Sequence, residues 1–126
     1  MIRAFLVALL LASPASAMPF CAGPERITCV VDGDTVWIDG EKIRLASIDA
    51  PEAGGKCFAE RDLAARSAEF LRRFLEAGDP AIERSGMDRY GRTLARIWVG
   101  RAEAGEALVA AGLARPWKGH REDWCN

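Results

Sequence analysis

Val30-Val31-Asp32-Gly33-Asp34-Thr35-Val36-Trp37-Ile38-Asp39-Gly40 is the stretch on which the fold turns. Two runs rich in β-branched residues flank a Gly-containing turn, and Asp39-Gly40 is a strong two-residue hairpin signal. Beyond it, Lys42 to Ile48 alternates, with Ile43 and Leu45 on one face and Arg44 on the other. Arg26 to Val31, Thr35 to Ile38 and Lys42 to Ile48 are therefore predicted to form a three-stranded meander. Taken alone, Asp32-Gly33-Asp34 reads as a tight turn, because aspartate and glycine favour turns for backbone reasons.

Past the meander, Leu63, Ser67, Phe70, Leu71, Phe74 and Leu75 recur at three- and four-residue steps, which predicts a helix over Glu60 to Glu76. Gly78 and Pro80 stop it. Ala81 to Arg84 and Thr93 to Val99 read as the fourth and fifth strands, the latter entered through the turn Asp88 to Arg92. Ala102 to Ala111 reads as a second helix closed by Gly112, and the tail from Leu113 as irregular. Three strands, a helix, two strands and a helix do not suit a doubly wound sheet. The order suits an α+β fold, a five-stranded OB-fold Greek-key barrel with helices packed against it.

Residues 1–17 read as a signal peptide. Arg3 gives a positive start, Ala4 to Ala12 is an unbroken apolar run, and Ala15-Ser16-Ala17 is a small-residue cleavage site. The run is short for a membrane span. Residues 18–126 then form a single domain, with export to the periplasm or the extracellular space and no membrane contact after cleavage. All four cysteines lie in that part, and no two sit at a zinc-finger spacing. An even count behind a leader reads as two disulfides. Three pairings are open; Cys21–Cys29 with Cys57–Cys125 is preferred, since it ties down the leading segment and the tail. With 17 basic and 18 acidic residues the formal charge is −1. A broad basic footprint is thus excluded, and any attraction to phosphate must be local or metal-assisted.

Several residues could carry such chemistry. Asp34 and Asp49 offer carboxylates to a hard cation, with the Ala50 backbone carbonyl as a third ligand and Asp32 in support. Glu52, behind Pro51, suits a general base on water. Arg44 and Arg92 offer rigid donor forks that match phosphate. Such a set is what metal-assisted phosphodiester hydrolysis requires. Each feature alone also reads as a turn, a solvated carboxylate or a surface arginine.

In combination, Asp32-Gly33-Asp34-Thr35, Arg44, Asp49-Ala50-Pro51-Glu52 and Asp88-Arg89-Tyr90-Gly91-Arg92 resemble the staphylococcal (thermonuclease-like) nuclease family. Gly105 to Ala114 looks like that family's second-helix segment, so the resemblance runs from Thr28 to about Ala114. It implies an OB-type barrel with a third helix, here shortened or absent. It also implies a nuclease that uses Ca2+ and leaves 3′-phosphates on DNA or RNA. By resemblance Asp34, Asp49 and the Ala50 carbonyl would hold the ion. Glu52 would be the base, Arg44 and Arg92 would hold the phosphate, and Arg89 and Tyr90 would meet a terminal phosphate. Ala50 stands where the family archetype has threonine, and the archetype's base-stacking tyrosines are missing. Trp117 could replace them as a stacking platform; packing of the tail near Cys125 is the other reading for it. His120 is expected at the surface without a role.

The resulting expectation is a secreted, monomeric, calcium-dependent phosphodiesterase acting on nucleic acid. The alternative is a non-catalytic OB-type module that binds nucleic acid or protein, since fold does not fix function.

Overall fold

The computed structural model describes residues 17–126. The expected leader, residues 1–17, thus lies outside the described residues except for Ala17. The order is β1 (Cys29–Asp32), β2 (Thr35–Ile38), β3 (Glu41–Leu45), β4 (Ile48–Asp49), α1 (Phe58–Glu76), β5 (Pro80–Met87), β6 (Thr93–Val99), β7 (Ala102–Glu103), α2 (Ala104–Ala110) and β8 (Arg115–Pro116). The described residues form an α+β fold with a mixed sheet and two helices.

β1, β2 and β3 make the antiparallel meander. Asp39 (φ 48°) and Gly40 (φ 81°) both take left-handed backbone, as a type I′ hairpin turn requires. Alternation places Val36, Ile43 and Leu45 in the core and leaves Arg44 half-buried at the rim of the sheet. β3 then pairs in parallel with β6, Arg44 opposite Leu94, a pairing whose crossover contains α1 and β5.

α1 begins two residues before the expected start because Cys57 caps it, its sulfur accepting the Glu60 N–H at 3.4 Å. Ala64, Ser67, Ala68, Leu71 and Leu75 form the buried stripe, with Phe70 and Phe74 at its margin. A Cβ at Gly33 would overlap the Ser67 side chain, so the Asp32–Asp34 turn rests directly on this helix. α2 starts after a cap by Glu103, whose Oε2 accepts the Glu106 N–H at 2.6 Å. It ends at Gly112 (φ 73°), where the Leu113 N–H returns to the Leu108 carbonyl.

Two expectations are corrected. The sheet is an open path, β1-β2-β3-β6-β5, whose outer strands do not pair with each other, so it does not close into a five-stranded barrel. Both outer edges are otherwise protected. The free edge of β1 is taken by the leading segment, with Val30 N–H on the Pro19 carbonyl, Cys21 N–H on the Val30 carbonyl, and the Cys21–Cys29 disulfide pinning the contact. β5 is exposed along most of its length and carries Glu83 and Arg84, charges that discourage further pairing. The strand count also differs, since β4, β7 and β8 are two-residue pairings too short to show a period. β8 lies in the segment expected to be irregular; Asp49 pairs with Arg115 and Ile48 with Pro116. Beyond β8 the tail to Asn126 has neither helix nor strand. It is tied back by the Cys57–Cys125 disulfide, Cα–Cα 5.9 Å.

Candidate active site

The ends of β1, β3 and β4 meet beside α1, and they bring the acidic residues together. Asp32 closes β1 at a bulge and accepts the Asp34 N–H on Oδ1 at 3.2 Å, an Asx turn. Asp34 is buried. Its Oδ1 accepts from the Thr35 hydroxyl at 2.9 Å and its Oδ2 from the Ala50 N–H at 3.1 Å. Asp49 is 3 % exposed, and its Oδ2 accepts from the Glu122 N–H at 2.9 Å and the Trp124 Nε1–H at 3.1 Å. Buried carboxylates need a countercharge. Arg44 supplies it, with Nη2 3.4 Å from Asp34 Oδ2 and 3.8 Å from Asp49 Oδ1. Arg44 Nη1 is held by the carbonyls of Leu45 and Ile48.

Negative charge in this corner exceeds what Arg44 offsets. Burial, then the neighbouring Asp34 carboxylate, and last Glu52, push the Asp32 carboxyl up to about 8. Glu52 follows Pro51 out of β4. Its N–H donates to Glu60 Oε2 at 3.3 Å, and its Oε1 lies 2.6 Å from Arg121 Nη2.

The Asp88–Arg92 turn contributes the second arginine. Asp88 Oδ1 accepts the N–H groups of Tyr90 and Arg92, and Asp88 Oδ2 accepts from Arg92 Nε at 2.6 Å. Burial alone would raise the Asp88 carboxyl; these hydrogen bonds outweigh it and hold Asp88 below the usual range. Arg92 is thereby anchored through Nε, and among the described residues its Nη groups make no hydrogen bond. Arg89 and Tyr90 are exposed on the turn, Arg89 Nη2 donating to the Tyr90 hydroxyl at 2.6 Å.

One open cleft of about 900 Å³ is lined by Asp32, Asp34, Asp49 and Glu52 and also by Lys42, Arg44, Arg89, Arg92 and Arg121. Tyr90, Trp117 and His120 line it too. The net-acidic chain thus carries a local cluster of cations around its carboxylates. Trp117 is 42 % exposed with its ring 5.6 Å from the Arg44 guanidinium carbon, so it faces the cleft. Trp124 instead packs the tail, under Arg115. Ala50 is 1 % exposed and is not part of the lining.

Arg121, Glu122 and Trp124 are contacts the sequence reading missed. One signal was present: Cys57 is five residues from Glu52, so a Cys57–Cys125 bond brings the tail to the site.

The donor set fits a hard cation in chemistry. It is all oxygen, and two buried carboxylates converge on a single guanidinium nitrogen. Among the described residues no three acidic, histidine or cysteine side chains form a metal-holding group. A cation here would meet two carboxylates, compete with Arg44, and take its other ligands from carbonyl, water or phosphate oxygens.

The family model described as staphylococcal nuclease homologue matches residues 42–124, from β3 through the tail. The chain belongs to this family. It is 43 % identical over 96 residues to the succinoglycan biosynthesis protein ExoI of Rhizobium meliloti, covering 72 % of this chain and 49 % of that protein. It is 31 % identical over 96 residues to the thermonuclease of Staphylococcus hyicus, covering 71 % and 57 % respectively. Against the thermonuclease of Staphylococcus intermedius the identity is 34 % over 92 residues, 68 % and 55 %. The chain spans about half the length of these curated relatives. Among the described residues no helix is long and apolar enough to cross a membrane.

Proposed function

We propose that this chain is an exported, calcium-dependent nuclease that hydrolyses phosphodiester bonds of DNA or RNA. The observation that carries the reading is the shared cleft, in which Asp34, Asp49 and Glu52 face Arg44 and Arg92. Membership of the nuclease family supports it, as do the relatives named thermonuclease. The two disulfides support export, because such bonds persist in oxidising compartments. With the leader removed, residues 18–126 act as one domain.

In this reading Asp34 and Asp49 hold the ion, with the Ala50 carbonyl as a further oxygen and Asp32 in support. Bound calcium supplies positive charge that draws and orients the phosphate. Glu52 takes a proton from water through its carboxylate, whose Oε1 lies beside Arg121. The water oxygen bonds to phosphorus as the bond to the 5′ oxygen breaks, and the 5′ oxygen takes a proton from solvent, which gives a 5′-hydroxyl and a 3′-phosphate. Arg44 and Arg92 donate to the equatorial oxygens as charge builds there. Arg89 and Tyr90 reach the next phosphate, and Trp117 offers a face on which a base stacks.

The test is release of acid-soluble nucleotides from DNA and RNA, with calcium and with excess chelator. Release that requires calcium is expected. Undiminished digestion in chelator would remove the metal from the mechanism, and binding without release would favour a non-catalytic OB-type module.

A further inference from the structure

The tail makes contacts with the site that its exposure does not explain. Residues Trp117 to Arg121 are exposed and lack regular structure. Two donors nevertheless converge from this tail on one oxygen of a buried carboxylate. The Glu122 N–H and the Trp124 indole N–H both reach Asp49 Oδ2, at 2.9 and 3.1 Å. Asp49 Oδ1 stays on the side of Arg44. The same tail sends Arg121 to Oε1 of Glu52. The tail thus engages one oxygen of Asp49 and approaches Glu52 most closely at Oε1, while Asp49 Oδ1 lies nearest Arg44 and both residues line the cleft. A carboxylate fixed at one oxygen can offer only the other, which narrows its geometry toward any ligand.

The tail is held in place chiefly by covalent and short-range means. Cys125 is bonded to Cys57, the cap of α1. Arg115, the first residue of β8, has its guanidinium carbon 4.1 Å from the centre of the Trp124 ring and donates to the Asp123 carbonyl at 3.1 Å. Ion pairs of Arg115 and Lys118 with Glu122 are 3.6 Å long and partly exposed, so they hold weakly.

We propose that Arg121, Trp124 and the Glu122 backbone are positioning groups that fix one oxygen of Glu52 and one of Asp49, leaving the other oxygen of each to work. The proposal rests on the reading of Asp49 as a calcium ligand and of Glu52 as the base.

The experiment is calcium titration of the whole chain by calorimetry, comparing wild type, Trp124→Phe and Asp49→Asn. Trp124→Phe keeps an aromatic ring beside Arg115 but lacks the N–H. About tenfold weaker calcium binding is expected, with the melting temperature nearly unchanged. Wild-type affinity in Trp124→Phe, while Asp49→Asn has lost binding, overturns the positioning role alone. Wild-type affinity in Asp49→Asn overturns the ligand reading and this proposal with it. A second measurement needs no variant. In 1H–15N spectra of wild type, saturating calcium should shift the Trp124 indole and Glu122 amide signals and leave the Trp37 and Trp98 indoles in place. Trp124 and Glu122 signals that do not move overturn the proposal.

Discussion

Arg44 Nη2 lies 3.4 Å from Asp34 Oδ2, and this pair organises the acidic corner of the cleft. The guanidinium also reaches toward Asp49 and holds two backbone carbonyls. It therefore acts as a structural countercharge as well as a candidate phosphate ligand. Arg44→Ala leaves two buried carboxylates without it, and is expected to lower stability by about 2–4 kcal/mol. Urea denaturation measures this. Added calcium should recover more stability in the variant than in wild type, because the ion no longer competes with the arginine.

Gly33 lies where the Asp32–Asp34 turn meets Ser67 of α1. Gly33→Ala places a methyl group into that contact, so either the turn or the helix must shift. Overpacking of this kind costs about 1–3 kcal/mol. The shift also moves Asp34, so calcium affinity should fall together with the melting temperature. A variant with unchanged melting temperature and affinity would show that the turn is not seated on the helix as described.

The two disulfides should differ in weight. Cys57–Cys125 spans 68 positions and Cys21–Cys29 spans 8. On the chain-entropy view the long loop contributes about 4 kcal/mol and the short one about 2.5 kcal/mol. Cys57→Ala/Cys125→Ala should therefore lower the urea midpoint more than Cys21→Ala/Cys29→Ala. Equal midpoints in the two double variants would contradict this.

Much of this architecture was legible in the chain. Asp39-Gly40 has the turn chemistry of a hairpin and takes its backbone angles, and the alternation around Ile43 and Leu45 puts Arg44 at the rim. Helical spacing located α1 to within two residues, the difference being the Cys57 cap. The pairing of β8 with β4 was not legible, because two-residue ladders carry no period and Pro116 argues against a strand. Nor was the open sheet, since the pairing of Val30 with the Pro19–Cys21 segment depends on tertiary placement. The donors on Asp49 come from an irregular tail, where sequence offers no periodic signal. The residues expected to share a site do share the cleft, except Ala50, and the tail residues Arg121, Glu122 and Trp124 add to them.

The Glu41–Arg84 pair predicts part of the acid response. Hydrogen bonds from Arg84 and then from the Thr93 hydroxyl pull the Glu41 carboxyl down to about 2. A group whose folded value is depressed adds stability above its unfolded value, near 4.3, and loses it as the pH falls toward 2. Glu41→Gln removes that contribution. Its stability should be lower than wild type near neutrality, and the two curves should converge between about pH 4.3 and pH 2. Parallel curves through that window would show that the pair adds nothing.

The role given to Glu52 is tested most directly by single-turnover cleavage of a short DNA substrate in saturating calcium, comparing wild type with Glu52→Gln. The expected result is a fall of about 10²–10⁴-fold in the cleavage rate with calcium affinity retained, as loss of a general base requires. Cleavage by Glu52→Gln at the wild-type rate would contradict it.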